Sequence, residues 1–456
     1  MNENEVKNPV NENKMGVQPV GSLLVKMGAP MCASMLVQAL YNIIDSIFVS
    51  RIGPDAMTAI SLAFPIQMLM VSFASGTAVG INAMLSKALG EKNHKQVQNA
   101  ALNGVFLEFL TAVAFCLFGI FGARAYFASQ TSTANVVKLG TEYLSIVTIG
   151  SFAFILEMTF ERLLQSTGRT FVTMITQATG AIINIIFDPI LIFGLFGFPK
   201  LDMKGAAIAT VFGQVVAASM ALIFNLKKNH EISLDFKGFK PNWSAIKRIY
   251  SVGLPSIIMQ SINSVTTYLL NMILIGFSEV AVTALGIYFK LQSFFFMPVF
   301  GLNNAMIPII AYNYGARKKE RILGTIKYAI LIAMSIMVAG LLLFNIFPGA
   351  LLGLFNANEE LLAIGIPALR IISYSFIGAG FSIVLLSVYQ ALGNGVYSLI
   401  VSLLRQIIVL VPVAYLLSKV AGLSGVWWAY PIAELISVLV NIVLFRKIYK
   451  VKISTL

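Results

Sequence analysis

Two aspartates lie in stretches that are otherwise apolar. Asp45 sits in LYNIIDSIFVSRIG and Asp188 in NIIFDPILIFG. An ionisable side chain inside lipid costs on the order of 2.5–3.5 kcal/mol by insertion scales, so one kept there usually has a task. Asn184 precedes Asp188 by one helical turn and shares its face. Pro189 frees a backbone carbonyl beside them. Thr210, early in the following apolar run, is expected at the same depth. Two carboxylates, an amide and a hydroxyl are hard oxygen ligands suited to Na⁺. Two neighbouring carboxyl groups also hold one proton between them, which suits H⁺ exchange. Glu157 stands in a nearby run and is a further candidate for cation coupling, with Glu161 one turn on at the membrane edge in a structural role.

A second set of polar side chains recurs in the first, second, seventh and eighth apolar runs. It comprises Gln38, Tyr41, Asn42, Gln67, Gln260, Asn263, Tyr268, Asn271, Tyr288, Lys290 and Gln292, followed by Phe294, Phe295, Phe296 and Met297. With 19 methionines in the chain, these residues describe a wide cavity with soft, polarizable walls and few fixed polar groups. Such a cavity accepts varied apolar cations. Glu108 and Glu434 are further acids inside apolar runs and are expected to be members of buried pairs. Lys290 and Arg405 sit too far from their helix ends to reach water and need partners, whereas Arg370 lies close enough to an end to snorkel.

The elements that must hold these residues follow from composition. The chain has 456 residues, 58% hydrophobic and 11% charged, with a mean hydropathy of +0.84. Soluble domains carry about 25% charged residues, so this is an all-α polytopic membrane protein. About twelve apolar runs are each long enough to span a bilayer, at roughly 22–50, 56–84, 97–123, 139–162, 170–196, 204–226, 247–275, 282–310, 322–346, 364–388, 397–418 and 423–446. The one long polar connection, 227–246, divides an N-lobe (22–226) from a C-lobe (247–446), with a disordered tail at 1–21 and a short tail at 447–456. Lys and Arg number 22 on the side carrying the termini and 6 on the other, which places both termini in the cytoplasm.

The two halves repeat. Gly28-Ala29-Pro30 returns as Gly253-Leu254-Pro255, Gly90 as Gly315 and Gln165–Gly168 as Gln390–Gly393, all at the one offset that takes position 28 to position 253. An even number of spans per copy makes these parallel repeats, related by an axis along the membrane normal, the plan of transporters that rock two bundles about a shared site. The copies are not equivalent, since Leu270 stands opposite Asp45.

Other classes are excluded. There is no Gly-Lys pair and hence no P-loop, no His-Glu-x-x-His and no Ser or Cys nucleophile motif. Cys32 and Cys116 lie inside apolar runs and read as packing residues, and His94 and His230 have no ligand-spaced partner. The net charge of +13 reflects basic loops and not a nucleic-acid partner. The expectation is a monomeric, cofactor-free membrane protein acting on small organic molecules, its energy drawn from an ion gradient or from a partner.

The ordered set of LYNIIDSIFVSRIG, TAISLAFP, ALGEKN, FDPILIFG, KGAAIAT and AYNYGARK resembles the multidrug and toxic compound extrusion (MATE) family, nearest its Gram-positive multidrug-efflux branch. The resemblance covers residues 22 to 446. It implies twelve helices in two lobes around an export cavity, antiport with Na⁺ or H⁺, and an N-lobe cation site at Asp45, Asn184, Asp188 and Thr210. Some relatives carry acids in helices seven and ten. Asn263 stands at the helix-seven position here and span ten has no acid, so coupling is expected in the N-lobe alone. A lipid-linked oligosaccharide flippase of the same superfamily is the alternative, and a passive channel or receptor is a third.

Overall fold

The computed structural model describes residues 12–355 and 357–456, and these form helices with no strand among them. In chain order the helices are α1 (Lys14–Val17), α2 (Val20–Ser50), α3 (Pro54–Gly90), α4 (His94–Phe121), α5 (Ala123–Gln130), α6 (Ala134–Ile149), α7 (Ser151–Ser166), α8 (Thr170–Phe193) and α9 (Asp202–Lys228). They continue as α10 (Trp243–Ile275), α11 (Glu279–Gly315), α12 (Lys319–Ile346), α13 (Pro348–Gly353), α14 (Glu359–Ser373), α15 (Ser375–Ala391), α16 (Gly395–Leu403) and α17 (Val411–Ile448). Local signals start and stop them. The side chains of Asn93, Asn242, Ser278 and Asn358 each accept a hydrogen bond from a backbone N–H three residues on. Gly194 ends α8 with φ 73°, in the left-handed region that favours glycine.

Among the described residues, nine helices are long and apolar enough to cross a membrane, and two bent pairs bring the number to eleven. One of the nine, Gly395–Ile453, has 59 residues. At about 1.5 Å per residue it would run nearly three bilayer thicknesses if straight. It folds back at Gly422, where φ is 62° and ψ −147°, and so makes two spans. The total is twelve, as the apolar runs predict.

The repeat is written into the backbone. Lys92 and Arg317 have φ of 54° and 56°, Gly168 and Gly393 are both positive, and so are Gly197 and Gly422. Each pair is separated by the repeat offset. The bent pairs match as well: α6 and α7 meet at 42° around Gly150, and α14 and α15 at 46° around Tyr374.

The lobes meet along one half of their length only. The face carrying Glu12, the C-terminus and the 227–246 connection is called basal here and the opposite face distal. Close backbone approaches between lobes lie in the basal halves of α2, α3, α10 and α11. A methyl on Gly76 would stand 2.7 Å from Ile257 N, and one on Gly301 would stand 2.7 Å from Cys32 N. Gly90 leaves no room for a Cβ against the Tyr312 carbonyl, nor Gly315 against that of Lys87. These contacts are reciprocal under the repeat offset, so the seam has its own two-fold symmetry. Among the described residues, the side-chain hydrogen bonds between lobes are also basal. Cys32 Sγ donates to Pro298 O (3.0 Å), Arg162 Nη1 to Asn304 Oδ1 (3.0 Å) and Arg248 Nη1 to Gln96 Oε1 (3.2 Å). The molecule is closed at its basal face.

Both expected tails are shorter than the sequence suggests. Residues 1–11 lie outside the described residues, but residues 12–21 are not a free tail. Met15 is fully buried, Asn13 Nδ2 donates to Thr167 O and to Glu231 Oε1, and Asn313 Nδ2 and Arg321 Nη2 both donate to Met15 O. Arg321 Nη2 also donates to Gln18 O (2.7 Å). The short α1 thus joins the basal ends of both lobes. At the other terminus Ile453 is fully buried and Lys452 Nζ donates to Leu392 O and Asn394 Oδ1.

Candidate functional site

Three spans bring the N-lobe oxygens together. α8 and α9 pack side by side because small residues face each other: Gly213 lies against the Gly180 carbonyl and beside Asn184. That approach sets Asn184 next to Thr210. Asn184 Nδ2 donates to Asp188 Oδ1 (3.3 Å) and to Thr210 Oγ1 (3.2 Å). α2 brings the Asp45 carboxyl beside that of Asp188. Asp188, Asn184 and Thr210 are 0%, 2% and 6% exposed.

Asp45 Oδ1, Asn184 Oδ1 and Asp188 Oδ2 are buried and have no hydrogen-bond partner. Leaving such atoms bare costs of order 1–3 kcal/mol each. A small cation bridging them, or a proton shared by the carboxyl groups, satisfies them. Among the described residues no group of three or more His, Cys, Asp or Glu could hold a metal ion.

Two tyrosines complete the surroundings. Tyr41, half-buried, lies beside Thr210 with both carboxyls nearby. Tyr143 on α6 accepts a hydrogen bond from Gln67 Nε2 (3.1 Å) and is 3% exposed. Sequence reasoning did not single out Tyr143, because a lone tyrosine in a span has no periodic partner to mark it. Glu157 does not join the cluster. It faces Glu161 on its own helix, and Glu161 accepts from Thr176 Oγ1 and Gln177 Nε2 (both 2.7 Å). Depth along a helix does not fix the direction in which a side chain points.

The cavity candidates separate in the same way. Gln38, Asn42, Asn263, Tyr268 and Lys290 are exposed, and Asn271, Gln260 and Gln292 are half-buried. Tyr288 is 2% exposed, with its ring against Phe344, Phe376 and Tyr430 in the C-lobe core, so it does not line a cavity. The expected buried pair forms for Glu434, whose Oε2 is 3.3 Å from Arg405 Nη1. It does not form for Glu108, whose carboxyl oxygens have no partner among the described residues. Lys290 Nζ lies 5.9 Å from the Phe355 ring centroid, a cation–π contact.

The MatE family model matches residues 30–190 and 255–416, so the second match begins where the repeat places residue 30. The chain belongs to the MatE family. Its members are transporters, so MatE membership agrees with a non-enzyme embedded in a membrane. A FAD transporter of Shewanella oneidensis is 28% identical over 425 residues, 92% of each chain. The multidrug export protein MepA of Staphylococcus saprophyticus is 26% identical over 417 residues, 91% of each chain. A solved multidrug resistance MATE family transporter of the MOP superfamily, in its outward-facing conformation, superposes with a TM-score of 0.89 at 26% identity, covering 98% of both chains. A MOP superfamily transporter from Pyrococcus furiosus, described as having a binding pocket of reverse polarity, gives 0.88 at 26% identity over 96% of this chain and 97% of that one.

Proposed function

We propose that this MatE protein is a secondary active exporter of amphipathic, often cationic organic compounds in exchange for Na⁺ or H⁺. The observation that carries the reading is the Asp45–Asp188 pair with Asn184, whose three buried oxygens have no partner, set in a two-lobe fold. Cation or proton binding there lowers the cost of the buried charge and so biases which arrangement of the lobes is stable. The 22-to-6 basic asymmetry supports a cytoplasmic basal face in the bacterial plasma membrane. With that orientation the structure is the outward-facing state. Similarity to MepA over nearly the whole chain supports drug export.

Asp45→Asn and Asp188→Asn are each expected to remove at least nine-tenths of gradient-driven dye efflux, with expression and membrane insertion unchanged. Efflux measured under imposed Na⁺ and H⁺ gradients tests this, and normal efflux in either variant at full gradient refutes it. Orientation is tested by thiol labelling. A cysteine at Ser233 should resist an impermeant reagent in intact cells and one at Ser278 should react, and the reverse pattern overturns the assignment.

A second reading has its own support. FAD, named for one relative, is a pyrophosphate-bearing compound, and the C-lobe holds the exposed Lys290 within its spans. Uptake of labelled FAD into inverted vesicles separates the two. Saturable, gradient-driven FAD uptake favours the nucleotide, and its absence alongside dye transport favours the multidrug reading.

A further inference from the structure

Glu108 lies in the middle of α4, 0% exposed, and neither carboxyl oxygen has a hydrogen-bond partner. The molecule shows elsewhere how it partners a buried acid: Glu434 has Arg405, and Glu161 has two donors. Glu108 has neither. α3 and α4 run antiparallel, and Gly104 of α4 packs on Ile81 of α3. One turn further along both helices, Glu108 therefore comes opposite Thr77, whose hydroxyl is also fully buried and unpartnered.

The third wall of this site belongs to the other lobe. α10 is pressed onto α3, with Gly80 against the Ile249 carbonyl and Gly253 3.3 Å from Thr77 Cα at its Cβ position. Tyr250 of α10 lies beside Thr77, with Glu108 in its wider surroundings. Among the described residues, no charged group faces Glu108 from the elements packed on α4. Glu157 and Glu161 of α7 face one another instead, and α3, α5 and α6 contribute none. Tyr250 is the one titratable neighbour among them.

A bare carboxylate in such a place is costly, and the group neutralises instead. Glu108 is therefore a carboxylic acid while the seam is closed. When the lobes part at the basal face, α10 leaves α3 and α4 and water reaches the site. There the O–H bond breaks, the proton passes to water and the carboxylate stays hydrated. Closure reverses the step.

We propose that Glu108 is a proton-binding site of the basal seam, taking up one proton from the basal water each time the seam closes. It exchanges with one side only, so it carries no net proton across the membrane. It makes closure depend on cytoplasmic pH, separately from the Asp45–Asp188 pair. The proposal rests on the alternating-access reading above.

The test keeps the two readings apart. In the full chain carrying Asp45→Asn and Asp188→Asn, with Cys32→Ala and Cys116→Ala, Ile249→Cys places a thiol in the seam. Its maleimide labelling between pH 6 and 8 is normalised to an exposed Ser233→Cys control, which cancels thiol ionisation. One titrating group changes the closed-to-open ratio by at most about tenfold per pH unit. Labelling should rise with pH toward that limit, and Glu108→Gln should flatten the profile. Glu108→Leu, which fits an apolar site, should be flat too and guards against an effect peculiar to the amide. A slope retained in both variants, or no slope in the parent, overturns the proposal. Loss of coupling is judged independently, by efflux in Asp45→Asn and Asp188→Asn.

Discussion

At the residue scale, the four N-lobe oxygen donors were legible because each is a polar exception in an apolar run, and Asn184 and Asp188 lie one turn apart. Tyr143 was not, since what marks it is Gln67 reaching it from another helix. Tyr143→Phe removes the acceptor and leaves Gln67 Nε2 to find another in a buried site, at a cost of about 1–3 kcal/mol. Efflux at limiting Na⁺ or H⁺ should fall several-fold, with less loss at saturating gradient. A uniform loss at all gradients would place Tyr143 in packing alone. Tyr288→Phe makes the opposite comparison. The ring is held among Phe344, Phe376 and Tyr430, so substrate preference measured by competition should not change.

At the scale of elements, long apolar runs gave the spans within a few residues, whereas the breaks inside them were harder to see. Gly150 and Tyr374 each interrupt a run whose composition does not change, and nothing in that composition marks the 42° and 46° bends. The Arg405–Glu434 pair joins α17 to a π-helical turn at Leu404–Leu410, a place where the ordinary hydrogen-bond ladder is widened. Glu434 is 6% exposed, so removing its charge strands a guanidinium in an apolar surrounding. Glu434→Gln should lower the Tm of the purified protein, and Arg405→Leu combined with Glu434→Leu should recover most of the loss. Coupled efflux should persist in the double variant. Its loss to the level of Asp45→Asn would show that the C-lobe couples as well.

At the scale of the whole molecule, the repeat offset read from a few short matches proved to order the backbone itself, down to paired positive-φ residues. Which face is closed was not legible, because one sequence must support both arrangements of the lobes. The seam explains the closure. Its glycines admit backbone at distances that no side chain permits. Gly80→Leu should force α10 off α3 and shift the protein toward the basal-open state, seen as faster labelling of Ile249→Cys. Unchanged labelling, with the protein still folded, would show that the seam yields elsewhere.

The α1 clasp adds a kinetic consequence to this geometry. Asn13 holds Thr167 of one lobe while Met15 and Gln18 are held by Asn313 and Arg321 of the other. The lobes cannot separate at the basal face while all these bonds last. If releasing one side gives up two bonds at about 0.5–1.5 kcal/mol each, the closed arrangement lives about five- to 150-fold longer than it would without them. The segment around α1 then acts as a timer. Deleting residues 12–18 should shorten the closed-state dwell time in single-molecule fluorescence by about tenfold, with the open-state dwell little changed. Equal shortening of both dwells would mean that the segment rides on one lobe and times nothing.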